Sequence, residues 1–238
     1  MGSGTVPGRG AELTNTAVIW HPSPNFGPRR DGLTPQFVVL HYTAMEGAEA
    51  ALERLCDPEA EVSAHYLIGR DGTCWQMVEE DQRAWHAGVG SWMGVEDINS
   101  RSIGIELDNR GSEPFGEPLM AALEGLLRGI LARWDLPAEA VIGHSDMAPG
   151  RKCDPGPRFD WARLVRQGLA ASAPDGDAVS DVEEALRAAG YTADASPEAR
   201  LTAFRMRFAQ ASAGPVTEAE RRILGGLAAR SSATILRG

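Results

Sequence analysis

The chain has few cysteines, a deficit of basic residues and no long apolar run. Its three cysteines, Cys56, Cys74 and Cys153, are an odd number at unrelated spacings, which excludes a disulfide framework and a four-cysteine zinc ribbon. Lys and Arg number 23 against 33 Asp and Glu, a formal charge of −10, so nucleic acid is not an expected partner. No segment approaches the roughly 20 apolar residues that cross a bilayer, and we predict no membrane span.

The start of the chain also lacks a targeting signal. Met1–Thr16 contains no basic stretch followed by an apolar run, so the sequence predicts neither a secretory nor a lipoprotein leader. Free cysteines are typical of the reducing cytoplasm. We therefore expect a cytoplasmic protein, and a periplasmic or outer-membrane-associated one if a natural leader was removed. The sequence carries no signature of oligomeric state.

Length and composition indicate one main domain with an appendage. The chain has 238 residues, of which 43% are apolar, enough for one sizeable core. Residues 1–33 are rich in Gly, Pro and Arg and are expected to form an irregular arm. Residues 34–170 form the expected main domain, 171–178 a linker with little to bury, and 179–238 a small helical domain.

Hydrophobic patterns predict an α/β fold in the main domain, with a mixed central β-sheet flanked by helices. An Asp-Gly pair between two β-rich runs indicates a hairpin. The predicted elements, in chain order, are a strand at 37–40, a helix at 48–55, a hairpin around 70–72, a strand at 102–107, a helix at 119–134 and a strand at 141–142.

Capping signals mark the start of each of three C-terminal helices. They are Ser180-x-x-Glu183, Ser196-Pro197 and Thr217-x-x-Glu220. Apolar residues at helical spacing follow each signal, so we predict a small three-helix bundle.

Two of the five histidines end predicted strands. His41 follows VVL, His144 follows VIG, and Asp154 comes ten residues after His144 in a loop rich in Pro and Gly. Two imidazoles and a carboxylate are the three protein ligands of an open catalytic zinc site, which leaves a fourth position for water. Cys153 competes with Asp154 because thiolate also binds zinc, and only one of two neighbours in an extended loop can serve.

Amide hydrolysis at such a site also needs a proton acceptor and a group that stabilises an oxyanion. Glu106, apolar-flanked in SIGIEL, is the candidate base, and its alternative is an exposed position of an alternating strand. Lys152, two residues before Asp154, is the candidate cation, and its alternative is a solvated loop lysine.

Six ordered motifs carry a family resemblance. They are HYTA, SAHYLIGRDG, RAWHAG, NSRSIGIEL, GHSDMAPGRKCDPG and FDW, and they run from about Trp20 to Trp161. Together they resemble the zinc-dependent N-acetylmuramoyl-L-alanine amidases, whose fold is shared with phage-lysozyme-type amidases and the peptidoglycan recognition proteins.

The resemblance implies roles for single residues. It implies one Zn²⁺ per chain with His41, His144 and Asp154 as ligands, and it puts Cys153 at the variable position beside Asp154. It also implies Glu106 as the catalytic base that activates water, and Lys152 as the catalytic residue beside the scissile carbonyl.

The implied reaction is hydrolysis of the amide between the lactyl group of N-acetylmuramic acid and L-alanine. The expected partners are peptidoglycan fragments, including anhydro-muropeptides, or the sacculus, in cell-wall remodelling or recycling. Substrate contacts are expected at Tyr66, Trp85 and His86, which lie on motifs of the family, and at Arg151, whose charge suits substrate carboxylates. Turn packing is the alternative for Trp85.

The C-terminal helices resemble peptidoglycan-binding modules through AFRMRFAQ, although the usual Asp-Gly repeats of those modules are not evident. Two other functions stay open from the residues. One is a peptidoglycan-binding protein without turnover, which retention of all three ligand positions disfavours. The other is a zinc hydrolase of another stem-peptide amide.

Overall fold

The predicted apolar runs form the middle of a mixed β-sheet. A computed structural model of the chain describes residues 18–235, with side chains described to residue 230. The strands are β1 Val18–Trp20, β2 Phe26–Pro28, β3 Phe37–Tyr42, β4 Tyr66–Ile68, β5 Cys74–Gln76, β6 Gln82–Ala84, β7 Ser102–Leu107 and β8 Val141–Gly143. Six of them make the main sheet in the order β1-β5-β4-β7-β3-β8, and β2 pairs with β6 in a small second sheet.

The predicted long helices are confirmed, and helices cover both faces of the main sheet. They are α1 Ala48–Cys56, α2 Ile98–Arg101, α3 Glu117–Arg133, α4 His144–Met147, α5 Trp161–Arg166, α6 Val182–Ala188, α7 Pro197–Phe208 and α8 Glu218–Ile235. Within the described residues, no helix is both long and apolar enough to cross a lipid bilayer.

Alternation along the strands separates the two faces of the sheet. Leu40 and Ile105 face the cluster that includes Leu123 of α3. On the other face, Val39 belongs to a cluster with C-terminal helix residues, and Leu67 belongs to one with α1. The second face is the one that carries the candidate site.

Parallel pairing brings the predicted site residues to one edge of the sheet. Strand β3 lies between β7 and β8 and pairs parallel with both. The register places His41 directly opposite Glu106 and Leu40 opposite Gly143. His144 follows Gly143 as the first residue of α4, so all three positions lie at the carboxyl ends of neighbouring strands.

The expected irregular arm at residues 1–33 is wrong for its described part. Val18–Trp20 is an edge strand that pairs parallel with β5, and Phe26–Pro28 pairs with β6. The Arg29 side chain anchors this segment by donating hydrogen bonds to the carbonyls of Glu80, Ser100 and Ser102. The Gly- and Pro-rich composition of this segment does not favour strands. Their pairing partners are distant in sequence, so no local pattern indicates them. Residues 1–17 lie outside the described residues.

The three C-terminal helices are confirmed, but they do not form a separate bundle. Tyr191, Phe204 and Leu224 share one buried cluster with Val39 and Ile142 of the sheet. The helices therefore pack on the sheet face that carries the site. The cap of the first helix also differs, since Asp181 and not Ser180 accepts the hydrogen bond, from the Glu184 N–H.

The predicted linker at 171–178 is packed rather than free. It has no regular secondary structure, yet it lies directly against two glycines of α8. A Cβ at Gly225 would collide with the carbonyl of Asp177, and a Cβ at Gly226 would lie 2.8 Å from Pro174. Larger residues at these two positions would push the segment off the helix.

A buried ion pair joins α7 to α4, and its arginine also binds the carbonyl of a residue in β8. Arg207 donates to Asp146 over 2.8 Å and to the carbonyl of Val141 over 2.8 Å. Asp146 also accepts from the Tyr191 hydroxyl at 3.1 Å and from the Gly143 N–H at 2.8 Å. The two charged side chains are only 3% and 0% exposed. Such a pair is expensive to break on one side, because the remaining charge stays buried.

The first prediction concerns this ion pair. Replacing Arg207 with Met should lower the free energy of unfolding by about 3–5 kcal/mol, because Asp146 is left buried without its cation. Urea unfolding monitored by circular dichroism measures the change. Arg222→Met is the matched control, since its pair with Asp175 is solvent-exposed and its loss should leave stability unchanged. Equal effects of the two variants would contradict the role given to the buried pair.

Candidate metal centre

Three buried side chains converge where β3 and β8 end. His41 Nδ1 lies 2.9 Å from His144 Nδ1 and 2.9 Å from Asp154 Oδ2, and His144 Nδ1 lies 3.0 Å from the same oxygen. Within the described residues, this is the cluster of His, Cys, Asp and Glu side chains whose ligand atoms are close enough to share a metal ion. Ligands about 2 Å from a tetrahedral ion lie about 3.3 Å from one another, close to this spacing.

The donor atoms themselves favour a cation. The Nε2 atom of His144 lies 2.9 Å from the carbonyl oxygen of Ala87, a pure acceptor, so this nitrogen carries a proton and donates it there. With a proton on Nε2, Nδ1 is the nitrogen of His144 that can offer a lone pair to a metal ion, and it lies 3.0 Å from Asp154 Oδ2. Burial lowers the pKa of His41 to about 4, so the His41 ring is neutral. A metal ion between these atoms would turn their repulsion into coordination, and zinc suits the donor set.

Cys153, the competing ligand, points elsewhere. Its thiol is exposed and lies 3.0 Å from the Tyr42 hydroxyl, whereas Asp154 is buried among the two histidines. Successive side chains of the extended loop take opposite directions. The structure thus brings Asp154, and not Cys153, together with His41 and His144.

Glu106 lies in the same cleft with a free carboxylate oxygen. Its Oε2 atom is buried and has no hydrogen-bond partner among the described residues. Burial, followed by the negative charge of Asp154, raises the pKa of Glu106 to about 8, and Lys152 acts in the opposite direction. A divalent cation at the three ligands would lower that pKa again. Lys152 is exposed at the same cleft.

The cleft has a volume of about 840 Å³ and collects most of the predicted substrate contacts. Trp85, His86 and Arg151 line it. The Arg151 guanidinium is committed to the protein, because it donates to the carbonyls of Ala87 and Val89. This arrangement holds the segment that bears the Ala87 carbonyl against His144.

Tyr66 was expected to contact substrate, but the structure places it away from the cleft. It lies opposite Ile105 in the sheet, one residue out of step with Glu106, and strand alternation therefore points it to the other face. Its hydroxyl donates to Glu80 over 2.7 Å, and its ring packs in the cluster of α3. The expected substrate contact is wrong for this residue in this structure.

Helix α7 forms a wall of the cleft that the sequence patterns did not indicate. Glu198, Ala199, Thr202 and Met206 of α7 line the same cavity as the candidate ligands. Ala199 lies close to Gly150 in the loop that leads to Lys152, 3.1 Å from where a Cβ of Gly150 would be. The spacing of these residues marks one face of a helix, but only the docking of α7 shows that this face meets the cleft.

Residues 31–157 match the family model described as N-acetylmuramoyl-L-alanine amidase. This match covers more than half of the chain and includes both candidate histidine ligands, Glu106 and Asp154. The chain belongs to the N-acetylmuramoyl-L-alanine amidase family.

Curated relatives from Escherichia coli support this membership. The chain is 40% identical over 150 residues to the N-acetylmuramoyl-L-alanine amidase AmiD, covering 56% of this chain and 53% of AmiD. It is 38% identical over 160 residues to the 1,6-anhydro-N-acetylmuramyl-L-alanine amidase AmpD, covering 60% of this chain and 87% of AmpD. The chain thus spans about half the length of AmiD and most of AmpD.

Solved structures of amidases extend the similarity into the C-terminal helices. AmiD from E. coli, in complex with the substrate anhydro-N-acetylmuramic acid-L-Ala-D-gamma-Glu-L-Lys, has a TM-score of 0.73 at 32% identity, covering 86% of this chain and 90% of that one. AmpDh3 from Pseudomonas aeruginosa, in complex with anhydromuramic pentapeptide, has a TM-score of 0.72 at 29% identity, covering 87% and 94%. The expected α/β fold is confirmed.

The second prediction tests the ligand set of this amidase family member. The protein loaded with zinc and dialysed should hold about one zinc per chain, because three ligand atoms are already assembled. Asp154→Ala should lose the metal, and the neighbouring Cys153→Ser should keep it. Elemental analysis of the three proteins measures this. The reverse result for the two variants would transfer the third ligand to Cys153.

Proposed function

We propose that this chain is a zinc amidohydrolase that cleaves the amide between the lactyl group of N-acetylmuramic acid and L-alanine in muropeptides or peptidoglycan. The observation that carries the proposal is one cleft that holds three converging ligand atoms together with the free carboxylate oxygen of Glu106. Membership of the amidase family supports the bond type.

The residues divide the chemistry among them. Zinc at His41, His144 and Asp154 would supply Lewis-acid chemistry, polarising an amide carbonyl and making water more acidic. Glu106 accepts the proton of the attacking water and passes it to the leaving amine. Its buried oxygen has no competing partner within the described protein, so it is free to do so. Lys152 places a positive charge at the cleft, where it stabilises the oxyanion that develops on the carbonyl.

The relatives favour anhydro-muropeptides as substrate. AmpD is named for the 1,6-anhydro-N-acetylmuramyl linkage, and AmiD was solved with an anhydro-N-acetylmuramic acid tripeptide. We propose the same substrate class here. The cytoplasmic location expected from the sequence stays a prediction.

A defined anhydro-muropeptide tests the proposal against its alternatives. Incubation should release the stem peptide with a free L-alanine amine, and a chelator should stop the release. Mass spectrometry of the products identifies the cleaved bond. Cleavage elsewhere in the stem would indicate a different zinc hydrolase, and binding without products would indicate a recognition protein. Either outcome would overturn the proposal.

The third prediction concerns the base. Glu106→Gln should lower turnover by about two to four powers of ten, as expected on loss of a general base, and should retain its zinc. Product formation on the anhydro-muropeptide and elemental analysis measure the two effects. Glu139→Gln, an exposed change of the same kind, is the control and should be fully active. Near-normal turnover of the Glu106 variant would remove this residue from the reaction.

We also propose that the C-terminal helices form part of the catalytic cleft. The support is that residues of α7 line the cavity beside the candidate ligands and that α7 shares its core with the sheet. The expected role of this segment in binding the intact cell wall stays a prediction.

The fourth prediction tests the wall formed by α7. Thr202 is exposed and lines the cleft, so Thr202→Trp should narrow the cleft without disturbing the core. It should raise KM for the anhydro-muropeptide by about tenfold, or about 1.4 kcal/mol of binding, with little change in zinc content. Steady-state kinetics measure the effect. Arg222→Trp on the exposed face of α8 is the control, and an equal effect there would contradict the cleft assignment.

A further inference from the structure

A hydrogen-bonded chain extends from His41 away from the ligand cluster. The Nε2 atom of His41 lies 3.0 Å from Nδ1 of His86. The Nε2 atom of His86 lies 3.3 Å from the Ser102 hydroxyl oxygen, and Ser102 lies 2.6 Å from the carbonyl oxygen of Ile98. This chain begins at a candidate ligand and ends at a group that can only accept a proton.

The carbonyl at the end of this series of hydrogen bonds determines which atom is the donor in each of them. The Ile98 carbonyl has no proton, so the single hydroxyl proton of Ser102 is donated to it. The Ser102 oxygen then accepts from Nε2–H of His86. A neutral imidazole has one N–H, so Nδ1 of His86 is an acceptor, and it receives the proton on Nε2 of His41. His41 is left with a lone pair on Nδ1, the atom that faces His144 and Asp154.

The His86 ring is held where this chain needs it. A Cβ on Gly104 would collide with three atoms of that ring, so the absence of a side chain in the middle of β7 makes room for it. The backbone is fixed as well, because the N–H groups of His86 and Ala87 both donate to the Asn99 side-chain oxygen, at 3.0 and 2.8 Å.

Neighbouring residues of one segment thus orient both candidate histidine ligands. The side chain of His86 accepts from His41, and the carbonyl of Ala87 accepts from His144. Partners behind a ligand histidine commonly fix its tautomer and ring orientation and strengthen metal binding.

We propose that His86 is a positioning residue, locked by Ser102, that keeps His41 in the tautomer whose Nδ1 can bind the metal. The competing arrangement is concrete. If Nδ1 of His41 carried the proton, it would donate to Asp154 at 2.9 Å, and both ligands would be unavailable. His86 therefore serves the metal site rather than the substrate contact expected from its motif.

The inference rests on the metal site of the proposed function, and its test separates the two. His86→Leu removes the acceptor behind His41, whereas His86→Asn keeps an acceptor oxygen near the position of Nδ1 in a smaller side chain. Zinc affinity is measured by competition with a chromophoric chelator. The Leu variant should bind zinc about 10- to 100-fold more weakly than the unmodified protein, and the Asn variant should recover most of the loss.

A second readout does not depend on metal or activity. In the metal-free protein, nitrogen-proton correlation spectra of the histidine rings should show His41 protonated on Nε2. His86→Leu should shift the proton to Nδ1. Ser102→Ala is a milder change for the case that the Leu variant does not fold, and it should shift part of the population because His86 is no longer locked.

The outcomes are distinguishable. Equal zinc affinity of the Leu and Asn variants, or an unchanged His41 tautomer in Leu and Ser102→Ala proteins, would overturn the positioning role while leaving the metal site intact. Absence of zinc binding by the unmodified protein would overturn the proposed function instead. Intact zinc binding without turnover would leave the positioning role standing and would overturn only the proposed reaction.

Discussion

The parallel pairing of β3 with both of its neighbours is the constraint on which the site depends. Because β7 and β8 run in the same direction as β3, their carboxyl ends meet at one sheet edge. The register then fixes Glu106 beside His41, and the short turn into α4 delivers His144. A slip of one residue in β7 would point Glu106 to the opposite face. The chemistry of this edge thus rests on backbone hydrogen bonds made several residues away.

The charges and hydrogen-bond partners of the site favour a bound cation. The cluster gathers a carboxylate and imidazole nitrogens as buried side chains, which costs free energy unless a cation or protons compensate. The outer partners reduce the choice, because the carbonyl of Ala87 and the ring of His86 hold protons on the far side of the ligand rings. The arrangement favours a metal ion over protonation as the source of positive charge.

Much of this arrangement could be predicted from local sequence signals. His41 and His144 could be predicted as site residues because each ends a predicted strand. The helical spacing of apolar residues predicted the position of α3 to within a few residues. Tyr66 shows where local signals fail, since its motif indicated the site but only the pairing register reveals the face. The edge strand at Val18–Trp20 was missed because it pairs with Cys74–Gln76, a contact that no short-range pattern records.

The C-terminal helices show a second way in which local sequence signals fail to predict the structure. Arg207 has the appearance of a solvated helix residue in the sequence, yet it is buried and paired with Asp146. The capping signals correctly announced three helices but carried no information on what those helices pack against. Tertiary docking, and not local propensity, decides that α7 reaches the cleft.

The position of helix α7 bears on which ligands the cleft accepts. It carries cleft-lining residues on one side and, through Arg207, is tied to Asp146, which caps the turn directly before His144. On this side, the wall of the cleft is a helix whose position depends on a buried charge pair rather than on a loop. The position of α7 on the sheet then determines how thick a ligand can fit between them. Changes in the core beneath α7, remote from the candidate ligands, would alter which molecules fit the cleft.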